Sequence, residues 1–308
     1  MSDSLEGKTK LRSVTKGLAA GIGELLWDVF PVGKELGGAP GNFAWHVHAL
    51  GMNGLVISCV GDDDEGREIL ERLDAMELRP DHVTVDSTHP TGRSTVLLDP
   101  AGVPSFHVHE NVAWDFIPFT PALARVAGEV DVVSFGTLGQ RSTISRETTR
   151  SFLARTRPEA IRLFDLNLRP PHYAREVIGE SLSIASVIKL NDSELGDLSR
   201  MFGFSGDETE RLSQLADAYG LRLVALTRGD RGSILCADGR VSIHPGFKTT
   251  VVDTVGAGDA FAAALVVGMF RGSDIDRIND HANRVASYVC SKRGATPELP
   301  SELADSGA

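Results

Sequence analysis

The sequence predicts an α/β protein, with a mainly parallel sheet covered by helices on both faces and a small second β-sheet beside it. Three observations carry this expectation. Short, continuously apolar runs such as Leu55–Val60 read as strands buried on both faces, the pattern of parallel sheets. Segments with helical spacing alternate with those runs along most of the chain. Two stretches, Trp27–Leu36 and Thr91–Val112, break the alternation and are rich in β-formers, as an added sheet would be.

In chain order, residues 1–17 carry alternating charges and few large apolar groups and are expected to form a loose tail. Leu18–Ile22 is the first strand, ending at Gly23. Asn42–Leu50 follows a Gly/Pro cluster and sets Phe43, Val47 and Leu50 on one helical face. After the strand Leu55–Val60, the segment Glu65–Met76 has helical spacing at Ile69, Leu70, Leu73 and Met76. Val130–Phe135, Ile161–Leu166, Ser186–Leu190 and Leu223–Thr227 repeat the strand pattern. Helices are expected between them at Thr143–Thr156, Ala174–Ala185, Glu194–Phe202 and Glu208–Tyr219. A hairpin at Gly232–Ile243, a strand-like run at Thr249–Val252, an apolar helix from Asp259 to about Phe270 and a last helix over Asp280–Cys290 complete the series. In the second irregular stretch, Ser94–Leu98 and Ser105–His109 alternate like one-sided strands around the turn Asp99–Gly102. One domain over residues 18–302 is expected, with about 27–37 and 91–113 forming a lid-like small sheet.

Composition narrows the function before any motif does. The 308 residues are 42% hydrophobic and 24% charged, an ordinary globular balance. Lys plus Arg number 31 against 42 Asp plus Glu, a net charge of −11 that repels nucleic acid and anionic lipid. A locally held phosphate stays compatible with that field. Cys59, Cys236 and Cys290 stand apart, without a C-x-x-C pair, so neither a zinc knuckle nor a disulfide framework is supported. Met1–Thr15 lacks an apolar stretch, and runs such as Ala260–Met269 are too short to span a membrane. A cytoplasmic protein with no membrane partner is expected.

Four segments carry chemistry. In Asp253-Thr-Val-Gly-Ala-Gly-Asp-Ala-Phe261 a Gly-x-Gly turn meets the start of a helix. Glycines let the backbone pass close to a ligand, and the free N–H groups of the first turn, with the helix dipole, favour an anion. Asp259 in that turn makes an anion hole beside a carboxylate, the pairing that phosphoryl transfer to an alcohol requires. A helix cap is its bland alternative. Gly37-Gly38-Ala-Pro-Gly-Asn42 presents backbone groups and an amide to a polyol, or simply caps a helix with Asn42. Asn191-Asp-Ser-Glu194 follows a strand, where metal and phosphates bind in such sheets, and N-capping is compatible with that role. In Asp165-Leu-Asn167-Leu-Arg169, a strand continued past its end would put all three polar side chains on one side, with an Asp165–Arg169 salt bridge as the alternative.

Other motifs fail. Gly7-Lys8-Thr9 lacks the opening glycine of a phosphate loop, and Gly21-Ile-Gly23 and Gly256-Ala-Gly258 lack the third glycine of a dinucleotide fingerprint. His46 and His48 sit two apart on a helix, on nearly opposite faces; His107 and His109 share a strand face without an evident third ligand.

In this order the segments resemble the PfkB (ribokinase-like) carbohydrate kinase family from about Leu18 to Pro300. Val252–Ala264 resembles the family's C-terminal signature, Gly37–Val60 with Gly61-Asp62-Asp63 its N-terminal one, and Thr227-Arg-Gly-Asp-Arg-Gly232 a third landmark. Gly23-Glu24-Leu-Leu-Trp-Asp28, Thr91-Gly92 and Phe164–Arg169 are most similar to fructokinases. The resemblance implies a Rossmann-like domain with a β lid that often serves dimerisation, ATP as phosphoryl donor, Mg²⁺, and for some relatives a monovalent cation such as K⁺. By position it implies Asp259 as the base and Gly256, Ala257 and Gly258 as the anion hole. Asp28, Gly38 and Asn42 would hold the sugar. Arg93 and Arg169, able to clamp a carboxylate, keep an acidic sugar open, and Asn167 lies in the same acceptor segment. Asn191 and Glu194 would organise Mg²⁺ and phosphates, partly through water, while Thr227, Gly229 and Asn283 line the nucleotide. Asp253, with the backbone near Val255 and Gly294, resembles the cation site. Departures from ribokinase at Leu26 and at Val255-Gly256-Ala257 weaken a ribose reading; His107-Val-His109 and Trp114-Asp115 are unusual. A fructose kinase is the leading expectation, a kinase for another polyol, acidic sugar or nucleoside the second, and a non-catalytic sugar-binding protein the third.

Overall fold

A computed structural model describes residues 16–30, 33–98 and 104–304. Most of the expected tail and the turn Asp99–Gly102 lie outside them. The elements are β1 (Leu18–Ile22), β2 (Leu26–Phe30), β3 (Gly33–Gly37), α1 (Ala39–Ala49), β4 (Asn53–Gly61), α2 (Asp64–Ala75), β5 (Val83–Asp86), β6 (Gly92–Leu98) and β7 (Pro104–Val108). They continue with α3 (Pro121–Ala127), β8 (Val132–Gly136), α4 (Thr143–Leu153), β9 (Ile161–Asp165), α5 (Arg175–Ile184), β10 (Val187–Asn191), α6 (Asp192–Phe202) and α7 (Glu208–Tyr219). The series closes with β11 (Leu223–Thr227), β12 (Ser233–Ala237), β13 (Arg240–His244), α8 (Ala257–Phe270), α9 (Ile275–Cys290) and α10 (Ser301–Ala304).

Nine strands form the main sheet in the order β13-β12-β11-β10-β9-β8-β1-β4-β5. From β5 to β11 every neighbouring pair is parallel, and only β12 and β13 run antiparallel at one edge. The apolar strand runs are explained by burial on both faces. One face packs Phe135, Phe164, Leu182, Leu198 and Leu215 under α3–α7. The other packs Val47, Phe261, Leu265 and Val285 from α1, α8 and α9. A second sheet, β3-β2-β6-β7, uses the two irregular stretches, with β2 and β6 parallel and each carrying an antiparallel partner. No described helix is long and apolar enough to cross a membrane.

Two expectations are corrected, and two elements were not expected at all. Thr249–Val252 is not a strand: Val251 and Val252 are exposed, and the run reaches the rest of the protein by backbone bonds from Val252 and Asp253 to the Cys290 carbonyl. α9 starts a turn and a half earlier than Asp280, because Asp274 caps it by accepting from the Asp276 N–H at 3.0 Å. β5 and α3 were not anticipated; α3 begins at a Thr120-Pro121 cap that is readable in hindsight.

Candidate active site

β1 lies between β4 and β8, so the direction of strand progression reverses there. In open α/β sheets the crevice outside the carboxyl ends at such a point collects ligands. Asn191 ends a strand of this sheet, and Glu24, Thr137, Asn167 and Gly229 follow within two residues of strand ends on the same side.

α8 enters the crevice by its N-terminus. Its N-cap, Gly256, has φ +76, and a Cβ there would lie 2.4 Å from the Ala295 carbonyl oxygen, so the turn requires glycine. The Ala257 N–H bonds the Thr254 carbonyl at 3.3 Å, whereas those of Gly256, Gly258 and Asp259 have no acceptor among the described residues. Asp259 accepts from Asn42 Nδ2 at 2.8 Å, which brings α1 and α8 together at one carboxylate. Asn42 is not the cap of α1. Gly38 is, with φ +110 and room for no Cβ, since one would meet the Glu24 carbonyl oxygen at 2.4 Å. Asp259 keeps an edge toward the crevice, yet burial of its carboxyl raises its pKa, opposed by Lys189, Asn42 and Arg169.

Two charged residues to which the sequence motifs gave no role complete this floor. Lys189, on β10, places Nζ 3.1 Å from both Asp165 oxygens, with both side chains buried. A Cβ on Gly258 would lie 2.9 Å from that ammonium, so Lys189 sits directly beneath the helix N-terminus. Burial pulls the ammonium down, but Asp165, Glu194 and Asp259 outweigh it and hold the pKa above its ordinary value. Glu24, after β1, is buried; that burial, with Asp259 nearby, pushes its carboxyl up to about 7. Glu24, Thr137, Asp165, Asn167 and Asp259 line one small cavity of about 10 Å³, roughly the space a single water needs. The Asp165–Arg169 salt bridge, the alternative reading of this segment, does not form; Asp165 pairs with Lys189 instead. Asn167 has φ +40, so the strand does not continue and its period-two spacing with Arg169 is lost. Exposed Arg169 still acts electrostatically on Glu24, Asp28, Asp165 and Asp259.

From the small sheet, Asp28 faces Ser94 and packs against Gly37, where a Cβ would lie 2.2 Å from its carboxylate. Burial raises Asp28 to about 6, opposed by the Ser94 hydroxyl and Arg169. Arg93, one residue before Ser94, takes the opposite face with Trp27 and bonds Glu65 at 2.6 Å, so it is not brought to the site.

Asn191 and Glu194 form a reciprocal capping box on α6, and the second Glu194 oxygen accepts from the Leu168 N–H at 2.8 Å. Thr227 ends β11, and Gly229 follows at φ +60. Asn283 spends its amide on Ser233 Oγ and Asn279, which ties α9 to β12. Asp253 accepts from the N–H groups of Val255 (3.0 Å) and Gly294 (3.1 Å), joining the two predicted halves of a cation loop. Among the described residues no group of three His, Cys, Asp or Glu could hold a metal ion. His46 is buried against the Ala295 carbonyl, and His109 pairs with Thr95.

A family model described as pfkB family carbohydrate kinase matches residues 9–302. An uncharacterized sugar kinase of Pyrococcus horikoshii is 30% identical over 298 residues, covering 91% of this chain and 92% of its own. Its crystal structure matches at 29% identity with a TM-score of 0.79, and its complex with ATP at 0.76, each covering 91% of this chain and 94% of that one. Fructokinase-2 of Zea mays is 28% identical over 309 residues, covering 92% of this chain and 91% of its own. The structure of Xylella fastidiosa fructokinase with bound ATP matches with a TM-score of 0.82 over 95% of this chain and 98% of that one; at 22% identity this is a likeness of fold.

Proposed function

The chain belongs to the pfkB family of carbohydrate kinases, and on that premise we propose that it transfers the γ-phosphoryl group of ATP to a primary hydroxyl of a free sugar, fructose first. The observation that carries this reading is the Asp259 carboxylate beside unpartnered N–H groups of α8 at the reversal point of the sheet. Asp259 accepts the hydroxyl proton as the sugar oxygen bonds to phosphorus and the bond to the ADP oxygen breaks. Asn42 holds the base in orientation, and the N–H groups of Gly256 and Gly258 hold oxygens of the transferring group, as an oxyanion hole does. Lys189, below Gly258, balances the carboxylates that crowd this floor. Asp28 and Gly38 hold the acceptor hydroxyls. Asn191, Thr227 and Gly229 line the nucleotide.

Mg²⁺ supplies charge neutralisation on the phosphates when bound. The residues fit a cation held mainly by phosphate oxygens, because both Glu194 oxygens already accept backbone N–H groups, leaving contact through water. The Asp253 loop with Val255 and Gly294 is the place for a monovalent cation such as K⁺. Arg169, exposed near Asp28 and Asp259, favours a second reading, an acidic sugar clamped through its carboxylate.

The test is a panel of fructose, ribose, adenosine, 2-keto-3-deoxygluconate and fructose 6-phosphate, compared by kcat/KM with ATP and Mg²⁺. Fructose is expected to lead, and a tenfold or larger preference for a nucleoside or acidic sugar overturns the fructose assignment. Asp259→Asn is expected to lower kcat about 10²–10⁴-fold, the usual worth of a general base, with KM for ATP and Tm nearly unchanged. Near-normal kcat with a lowered Tm makes Asp259 a cap instead of a base.

A further inference from the structure

His46, on α1, is fully buried. Its Nε2 lies 2.9 Å from the Ala295 carbonyl, 249 residues away in the chain. Burial lowers the pKa of the ring to about 4, against the pull of that carbonyl, so the ring is uncharged at neutral pH. A carbonyl only accepts, so Nε2 carries the proton and Nδ1 is left bare. Nδ1 is buried with no partner. Core packing does not require an imidazole here, because an apolar side chain would bring no unpaired nitrogen into the interior. What the ring contributes is its hold on one peptide.

That peptide backs the turn before α8. A Cβ on Gly256 would lie 2.4 Å from the Ala295 oxygen and 2.6 and 2.7 Å from the Ala295 Cα and Cβ, so the two residues pack in direct contact. The oxygen against which Gly256 packs is the one that His46 holds, and no other donor among the described residues reaches it. The strap leading to Ala295 is also tied to the turn. The Gly294 N–H donates to Asp253 at 3.1 Å, and the N–H groups of Val252 and Asp253 donate to the Cys290 carbonyl at 2.8 and 3.3 Å. Those bonds join strap and turn to each other. His46 ties the pair to α1.

A second observation places His46 with the base. Asn42 and His46 are four residues apart on α1, so they share a face, one turn from each other. Asn42 donates to Asp259 Oδ2 at 2.8 Å. One helix therefore holds the carboxylate by one side chain and the backing of Gly256 by the next.

We infer that His46 is a positioning residue for phosphoryl transfer: through the Ala295 carbonyl it holds Gly256 at a fixed distance from Asp259, with α1 as the common support. This rests on the proposed kinase chemistry and adds to it a residue that acts without touching either substrate.

The test compares His46→Leu, His46→Gln and His46→Asn by kcat, KM for ATP and acceptor, and Tm. Gln can bring its amide nitrogen to the place of Nε2, whereas the shorter Asn reaches only that of Nδ1. His46→Leu and His46→Asn should lower kcat about tenfold or more, since a small misplacement of reacting groups is costly. KM for both substrates should stay within about twofold, because the N–H groups of the turn grip the transferring group most strongly in the transition state. His46→Gln should restore most of the lost kcat. Val47→Ala, which opens a cavity in the same core, should lower Tm but keep kcat at a temperature where the protein is folded. In Gly256→Ala, whose turn is already displaced, adding His46→Leu should cost little further kcat.

A readout without substrate separates this inference from the kinase reading. With glycine-selective isotope labelling, the Gly256 amide is the resonance missing from Gly256→Ala. It should shift in His46→Leu and His46→Asn and return in His46→Gln. An unmoved Gly256 resonance overturns the inference. So do equal kcat values for the Gln and Asn variants, which carry the test should His46→Leu not fold, or a kcat loss in Val47→Ala that matches His46→Leu. If the resonance moves and returns as expected while Asp259→Asn keeps full kcat, the support of the turn by His46 holds and the assignment of the base fails.

Discussion

Replacing Lys189 by Met removes the ammonium under the floor of the site. Nζ lies 3.1 Å from each Asp165 oxygen, with the two side chains 11% and 8% exposed. At that separation and an effective dielectric of about 20, the attraction is about 5 kcal/mol. Breaking such a buried pair from one side typically costs about 3–5 kcal/mol, because the remaining charge is stranded. Lys189→Met should therefore lose about that much stability, and Lys189→Met with Asp165→Asn should recover most of it. The coupling between the two changes should exceed about 2 kcal/mol. Denaturant unfolding of the wild type, both single variants and the double variant measures it. A second readout separates function from folding. Lys189 opposes the rise in the Asp259 pKa, and Asp259 in its proposed role as base must be ionised to act. Without the ammonium Asp259 protonates at higher pH, so the acid limb of kcat/KM must move upward. If the double variant is no more stable than Lys189→Met, or if the limb stays where it was, the account of this cluster is wrong.

Three further outcomes are expected. Asp28 has a pKa of about 6 and is ionised above it, so KM for the acceptor should rise as pH falls through about 6 while KM for ATP stays level; Asp28→Asn should abolish that inflection. Glu24, at about 7, gains its charge beside Asp259 as pH rises through neutrality, which should place a step near pH 7 in kcat/KM that Glu24→Gln lacks. Gly256→Ala forces a Cβ to 2.4 Å from the Ala295 oxygen at φ +76, a strain of about 1–3 kcal/mol. It should lower Tm and kcat together, and an unchanged kcat would show that the turn is not part of the anion hole.

The parallel sheet apart from β5 was legible because its strands are short, apolar runs flanked by turn residues; β5, Val-Thr-Val-Asp with only Val83 buried, has no such run. The Asn191–Glu194 box was legible for a local reason too, since cap and partner lie three residues apart. What escaped depends on register. Lys189 meets Asp165 because β10 pairs with β9 in the alignment Lys189↔Asp165, which no local pattern contains. A single lysine within the apolar run Val187–Leu190 was nonetheless a signal, since buried lysines are rarely without a partner. Arg93 failed for the same reason: the pairing Asp28↔Ser94 assigns the faces of β6, and one residue of offset sends a side chain to the other side. Asn167 was named from the sequence, but its backbone conformation was not: a left-handed residue there ends the assumed strand.

The small sheet is built from two separate excursions of the chain, β2–β3 and β6–β7, each leaving and rejoining the main domain. It is not a detachable module. The first excursion departs within four residues of Ile22 and returns at Gly37, so its two seams fall on Glu24 and Gly38, which touch each other at the crevice beside α8. The second starts at Thr91, whose backbone N–H and hydroxyl are held by Asp63 at 2.8 and 2.6 Å. A chimaera that exchanges this sheet for a relative's must cut at Glu24 and Gly38, the first of which lines the small cavity with Asp259. New acceptor preferences are therefore expected to arise by substitution on the standing strands, with the sheet and the catalytic floor inherited as one block.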